Sequence, residues 1–177
     1  MSYCDYINNN PSDSPDYLLN KHYHDHQYGF PIDDDDELLG RLILEINQAG
    51  LSWTLMLRKQ TGFRKAYSDF SIEKIAAYTE DDRERLLQDP GIIRNRLKIN
   101  AAIFNAQKIV VLKTEHGSFK NWLDAHRSLT LPEWLKLFKK NFKFVGGEIV
   151  NEFLMSTGYL PGAHHISCPV YQKVGPV

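Results

Sequence analysis

The sequence predicts an all-α protein. Three observations carry this: apolar residues recur at spacings of three and four from Asp33 to Gly158, several of the marked segments open at Ser or Thr and close at glycine, and no convincing run of alternating strand residues intervenes.

Residues 1–31 are polar, rich in Asn, Asp, Ser and Tyr, with Pro11, Pro15 and Pro31 and no sustained period, and read as an irregular arm. From Asp33, Leu38, Leu39, Leu42, Ile43 and Ile46 mark a first helix, with acidic residues in its first turn and Gly50 as its stop. Ser52 caps a second helix carrying Trp53, Met56 and Leu57, and Ser71 a short third. Thr79 with Asp82 opens a fourth in capping-box style, ended by "DPG" at 89–91. A long helix spans about Arg94 to Lys113 and is closed by Gly117. "SFKNWLDAH" and "LPEWLKLFKK" give two shorter helices, the latter with proline in its first turn. After "NFKFVGG", "EIVNEFLMSTG" makes a last helix that stops at Gly158. The 177 residues fit one domain (1–177): the arm, a helical core over 33–158 and a tail over 159–177.

A formal net charge of -1 supplies no global basic field, so contact with nucleic acid requires a local patch. No apolar run approaches the roughly 20 residues of a membrane span, and the start lacks a secretory signal. A cytoplasmic protein is expected. There the two cysteines, Cys4 and Cys168, are metal ligands or free thiols rather than a disulfide.

Histidine bears on that choice. Five of the seven histidines fall in two clusters, His22, His24 and His26, then His164 and His165. In a helical turn either His164 or His165 can join Cys168 in presenting nitrogen and sulfur to one ion. Cys4 and one of the first cluster would complete a Cys2His2 set, against the plain alternative of surface histidines and two ordinary cysteines. "HYHDH" also resembles dinuclear metallohydrolase motifs, but these follow strands, and none is expected here.

Glu45 lies one step outside the apolar arc of its helix, beside Leu38, Leu42 and Ala49. It is either a boundary residue reaching water or Arg41, or a pocket acid with Trp53 as the adjacent wall. A carboxylate beside aromatic faces suits a flat cation. In "KLFKKNFKFVGG", Lys136, Lys139, Lys140 and Lys143 precede Gly146 and Gly147, which open a helix. Free N–H groups there with lysines nearby suit a phosphate, as in helix-hairpin-helix modules that grip a DNA backbone; the alternative is a solvated lysine face and a plain turn.

"YHDHQYGFP", "LEINQAGLSW", "DPGIIRNRLKI", "FKFVG" and "GAHHISC" together resemble the signature stretches of the DNA-3-methyladenine glycosylase I family, across nearly the whole chain. The resemblance implies a helix-hairpin-helix glycosylase fold and one structural zinc held by Cys4, His24, His164 and Cys168, fastening the two termini. It assigns the pocket acid to Glu45, the pocket aromatics to Tyr23 and Trp53, and the glycine-containing hairpin to Phe142–Gly147; with the basic patch before it, Lys140, Lys143, Val145, Gly146 and Gly147 are the expected DNA contacts. Tyr6 and Tyr28 stand where the family usually has Trp. An aromatic of the approach to "YHD" falls on Asn20, with Tyr17 as its alternative.

The implied reaction releases 3-methyladenine from double-stranded DNA by hydrolysis after base flipping, with Glu45 as the catalytic residue, accepting hydrogen bonds from the base edge and favouring its cation. No nucleophilic lysine is assigned, so a monofunctional, monomeric glycosylase is expected. The alternative is a zinc-fastened DNA-binding module without activity.

Overall fold

The structure, a computed structural model, describes residues 2–174. Its helices run α1 (Tyr3–Asn9), α2 (Pro15–His26), α3 (Asp35–Gln48), α4 (Trp53–Ala66), α5 (Ile72–Ala76), α6 (Glu80–Gln88), α7 (Arg96–His116), α8 (Phe119–Asp124), α9 (Leu131–Asn141), α10 (Gly147–Ser156) and α11 (Tyr171–Val174). No strand occurs among the described residues, as the all-α reading requires.

The arm is the main correction. It is two helices rather than irregular chain, because each has a cap that the missing apolar period concealed. Ser2 and Asp5 form a reciprocal capping box on α1, and the Ser14 side chain accepts from Tyr17 N at 3.2 Å while Pro15 opens α2. Neither helix needs a continuous apolar stripe, since Cys4, Ile7, Tyr17, Asn20, Tyr23 and His24 bury a mixed face against the body.

Helix α3 is the axis. Every residue from Leu38 to Asn47 is buried, and α4, α7, α8 and α10 pack around it. Its interior Gly40 is required by a close approach: a Cβ there would sit 2.4 Å from the Phe70 ring. The acidic run before it has three separate structural uses. Asp34 accepts from Glu37 N (2.9 Å) and caps α3, Asp35 accepts from Phe119 N (2.9 Å) and Lys120 N (2.8 Å) at the start of α8, and Asp36 accepts from Ile72 N (2.9 Å) at the start of α5. Charge on three helix N-termini both satisfies free N–H groups and complements the dipoles.

The later helices follow their sequence signals. Thr79 and Asp82 make a capping box on α6, Thr130 and Glu133 another on α9, and Gly117 ends α7 with φ of 87°. Residues Phe142–Gly146 form a short hairpin between α9 and α10, with Phe144 in the left-handed region at φ of 58°. Asn105, fully buried on α7, holds it: Lys143 N donates to Asn105 Oδ1 (2.8 Å) and Asn105 Nδ2 donates to Lys143 O (3.1 Å).

Candidate functional site

A cavity of about 810 Å³ opens between α3, the start of α4, α10 and the arm. Glu45, Gln48, Ala49 and Gly50 form one side and Trp53 the next, while Tyr3, Tyr23 and Tyr28 close the arm side. Gly146 and Gly147, at the N-terminus of α10, reach the same cavity, so the hairpin and the acid share one space. Glu45 is only 3% exposed: it neither reaches bulk water nor forms an ion pair with Arg41 among the described residues. Its Oε1 accepts from Ser156 Oγ at 3.4 Å. Burial pushes its pKa up to about 8, against the pull of the Arg41 guanidinium and with a further push from Glu152.

The aromatic wall is continuous. Tyr23 lies 5.1 Å from Trp53, 5.8 Å from Tyr28 and 6.0 Å from Tyr3, centroid to centroid, all tilted. Arg41 sits behind the wall, its guanidinium 5.1 Å from the Tyr23 centroid and its Nη1 donating to Ser156 O at 3.1 Å. Of the departures noted in the sequence, Tyr28 remains in the wall, and Asn20 is withdrawn from it. Asn20 is buried, donating to Thr54 Oγ1 (2.9 Å) and accepting from Tyr3 Oη (3.0 Å). Tyr17 does not take its place, since it is turned to the Ile7 carbonyl. The ring that does line the cavity on this side is Tyr3, steadied by Asn20 and stacked on Tyr6 at 6.3 Å. Sequence reasoning missed Tyr3; its adjacency to Cys4 was the available signal. It missed Glu152 as well, which shares a helix face with Ser156 four residues on.

Cys4, His24, His164 and Cys168 converge, all buried, with ligand atoms within 4.8 Å of one another. Cys4 Sγ lies 3.4 Å from His24 Nε2 and 3.5 Å from His164 Nδ1, and Cys168 Sγ is 3.7 Å from each. The outer ring nitrogens are both engaged: His24 Nδ1 with Asp25 Oδ1 at 2.8 Å, His164 Nε2 with Tyr28 O at 2.7 Å. Such outer partners fix ring orientation in metal sites, and this group can hold a metal ion. His22, His26 and His165 are exposed and outside it. The segment from His164 to Cys168 is a tight turn, with Cys168 N donating to His165 O at 2.8 Å, rather than a helix. Three of the ligands are chain neighbours of wall residues: Tyr3 and Cys4, Tyr23 and His24, Ala163 and His164.

Lys140, Lys143, Gly146 and Gly147 are exposed, the two glycines on the cavity wall, and nothing lies within 4 Å of where a Cβ on either glycine would stand. Val145 is buried in the core.

These features define a class: an all-helical protein with an acidic, aromatic cavity suited to a flat cation and a glycine hairpin at its mouth. The sequence pattern of the methyladenine glycosylases matches residues 14–171, and the chain belongs to that family. It is 33% identical to DNA-3-methyladenine glycosylase 1 of Escherichia coli (strain K12), over 97% of each chain. It is 31% identical to DNA-3-methyladenine glycosylase of Haemophilus influenzae, over 83% of this chain and 89% of that one. Among solved structures, it matches 3-methyladenine DNA glycosylase I in complex with 3-methyladenine at a TM-score of 0.83 and 31% identity, covering 96% of this chain and 97% of that one. The Staphylococcus aureus enzyme, solved to explain 3-methyladenine recognition, matches at 0.79 and 31%, covering 90% and 93%.

Proposed function

We propose that this protein is a base-excision repair glycosylase that hydrolyses the N-glycosidic bond of 3-methyladenine in double-stranded DNA and releases the free base. The observation that carries the reading is Glu45, a buried carboxylate inside an aromatic cavity that a glycine hairpin adjoins. Family membership and the named relatives support the same activity.

Chemistry accounts for the parts. A base bonded to deoxyribose must leave the stack before its bond can be reached, and the cavity at the hairpin is where it would go. Methylation at N3 makes the base cationic, so N9 departs with the bonding electron pair and the base leaves neutral. Water adds to the sugar C1′ and loses a proton to solvent, leaving an abasic site. Because the leaving group needs no protonation, the protein supplies recognition and electrostatics. Tyr23 and Trp53 stack on the base, and Glu45 accepts from its donor edge and favours its cation. No lysine among the described residues lines the cavity, which supports release without strand cleavage. Lys140, Lys143 and the backbone of Val145, Gly146 and Gly147 hold the phosphates beside it.

We assign zinc to the Cys2His2 group. Tetrahedral Zn²⁺ with ordinary bond lengths separates sulfur and nitrogen ligands by about 3.5–3.6 Å, and the observed pairs span 3.4–3.7 Å. Four protein ligands close the coordination shell, which makes the ion structural. The chain then acts as one cytoplasmic unit and as a monomer, its two ends joined at the clasp.

The decisive experiment incubates the protein with methylated duplex DNA and identifies any freed base by chromatography. Release of 3-methyladenine is expected, leaving the strand unbroken until alkali is added. Binding without release would favour a DNA-binding module, and a borohydride-trapped adduct would favour a lyase.

A further inference from the structure

Among the described residues three carboxylates line the cavity, Glu45, Glu148 and Glu152, and no lysine or arginine does. Glu45 is accounted for by the reaction. Glu148 is exposed in the first turn of α10, where the helix dipole alone favours an acid. Glu152 has neither explanation. It is partly buried in the middle of α10, and the groups that act on it are the Tyr28 hydroxyl and Glu148, with no cation among them. Burial raises its pKa above the ordinary glutamate value, the sign of an acid whose charge the resting protein does not neutralise.

Geometry fixes where this acid points. Tyr28 Oη donates to Glu152 Oε2 at 3.2 Å, and the Tyr28 ring is itself held edge-on to Tyr3 at 5.3 Å. One turn further along α10, Ser156 Oγ donates to Glu45 Oε1. Glu152 on α10 and Glu45 on α3 therefore line one cavity, each tethered by a single hydroxyl, and Glu152 Oε1 has no hydrogen-bond partner among the described residues. The Arg41 guanidinium stands behind Tyr23 and donates to a backbone carbonyl. A second acid so placed is unfavourable in the empty cavity and favourable only beside a bound positive charge.

We propose that Glu152, held in the wall by Tyr28, is a specificity-determining residue that acts with Glu45 to select positively charged bases over neutral ones. The inference rests on the reading of the cavity as the base pocket. Glu45 reads the donor edge of the base. Glu152 adds charge selectivity, which is the property that separates an N3-methylated adenine still bonded to sugar from the unmodified adenines that surround it.

The test compares two small ligands, 3,9-dimethyladeninium, a permanent cation, and 9-methyladenine, its neutral counterpart. Their affinities are measured by calorimetry for the wild-type protein, Glu152→Gln and Glu152→Ala. Gln keeps an acceptor for Tyr28 and removes only the charge, so the preference for the cation is expected to fall about ten-fold in both variants while affinity for the neutral ligand holds. The kcat/KM for 3-methyladenine release should fall by a similar factor, with duplex binding unchanged. If Gln keeps the wild-type preference, Glu152 is a structural anchor for Tyr28 and the proposal is overturned. If the wild-type protein binds neither ligand yet still releases 3-methyladenine, the proposal fails and the enzymatic reading stands; if it does neither, both fail.

Discussion

Lys98 on α7 donates its ammonium protons to the carbonyl of Asn47 at 3.0 Å, and to that of Ala49 at 3.1 Å, where α3 ends. The cation therefore closes the negative end of the helix that carries Glu45 and fixes the turn whose Gln48, Ala49 and Gly50 line the cavity. Its ammonium also lies 5.8 Å from the Phe144 centroid, so one side chain ties the pocket rim to the hairpin. Lys98→Met keeps the stem and strands two carbonyls. It should lower stability by about 1–3 kcal/mol in urea titrations and weaken base binding in parallel. Lys98→Arg, which retains donors, should recover part of both losses.

Removing the zinc proposed for the Cys2His2 group should act on the pocket as well as on stability, because Tyr3, Tyr23 and Ala163 adjoin Cys4, His24 and His164 in the chain. A strong chelator, or Cys168→Ser, is expected to lower the melting temperature and to weaken 3-methyladenine binding together, and added Zn²⁺ should restore both in the chelated wild type. Tyrosine fluorescence and calorimetry on one sample follow the two effects. Loss of stability with full base affinity would separate the clasp from the wall.

The sequence made the core helices legible because their signals are local. Ser52, Thr79 with Asp82, and Gly117 each mark an end through bonds made within a few residues. The arm was not legible in this way. Its helices do carry local caps, at Ser2 with Asp5 and at Ser14 with Pro15, but no apolar period marks them. The faces they bury are set by contacts that only the folded chain makes, such as Tyr17 Oη to the Ile7 carbonyl and the convergence of Cys4 and His24 with His164 and Cys168 from the far end. Glu45 could be placed at the edge of the apolar arc, but its burial depends on α10 supplying Ser156 opposite it. Asn20 illustrates the same limit. A residue-by-residue match leaves a gap in the pocket there, whereas the fold fills it from Tyr3, seventeen positions earlier, and uses Asn20 as the bracket.

Glu45 should make stability fall as pH rises. Its folded pKa, about 8, lies above the ordinary 4.5 of the unfolded chain, so the folded state holds a proton that the unfolded state has lost. The stabilising difference is fully present below the unfolded value, declines from about pH 4.5, and is gone once pH passes about 8. Glu152, raised in the same direction, adds to the trend. Glu45→Gln carries no such proton and should be more stable than wild type near pH 8, by on the order of a few kcal/mol, with the advantage vanishing near pH 4. Urea midpoints of the two proteins across this range give the comparison. The same variant should lose most 3-methyladenine release, since its amide oxygen still accepts but the carboxylate charge that favours the cation is gone.

The hairpin should be separable from the pocket by its salt dependence. Lys140 and Lys143 are exposed on the approach to Gly146 and Gly147, and Lys143 Nζ rests 5.2 Å from the Phe104 centroid on α7. Each phosphate that a lysine no longer neutralises reduces the slope of log affinity against log salt by about 0.9 for duplex DNA. Replacing both lysines with alanine is expected to weaken duplex binding and to flatten that slope by up to about 2, while binding of free 3-methyladenine stays at the wild-type level. Asn105→Ala tests the support beneath them. Without its paired bonds to Lys143, the hairpin loses the restraint that keeps Phe144 at positive φ, and duplex affinity should fall although no cation has been removed. Its salt slope should then stay near that of the wild type. If the double lysine variant kept both the wild-type affinity and the wild-type slope, the phosphates would be held by another face of the protein.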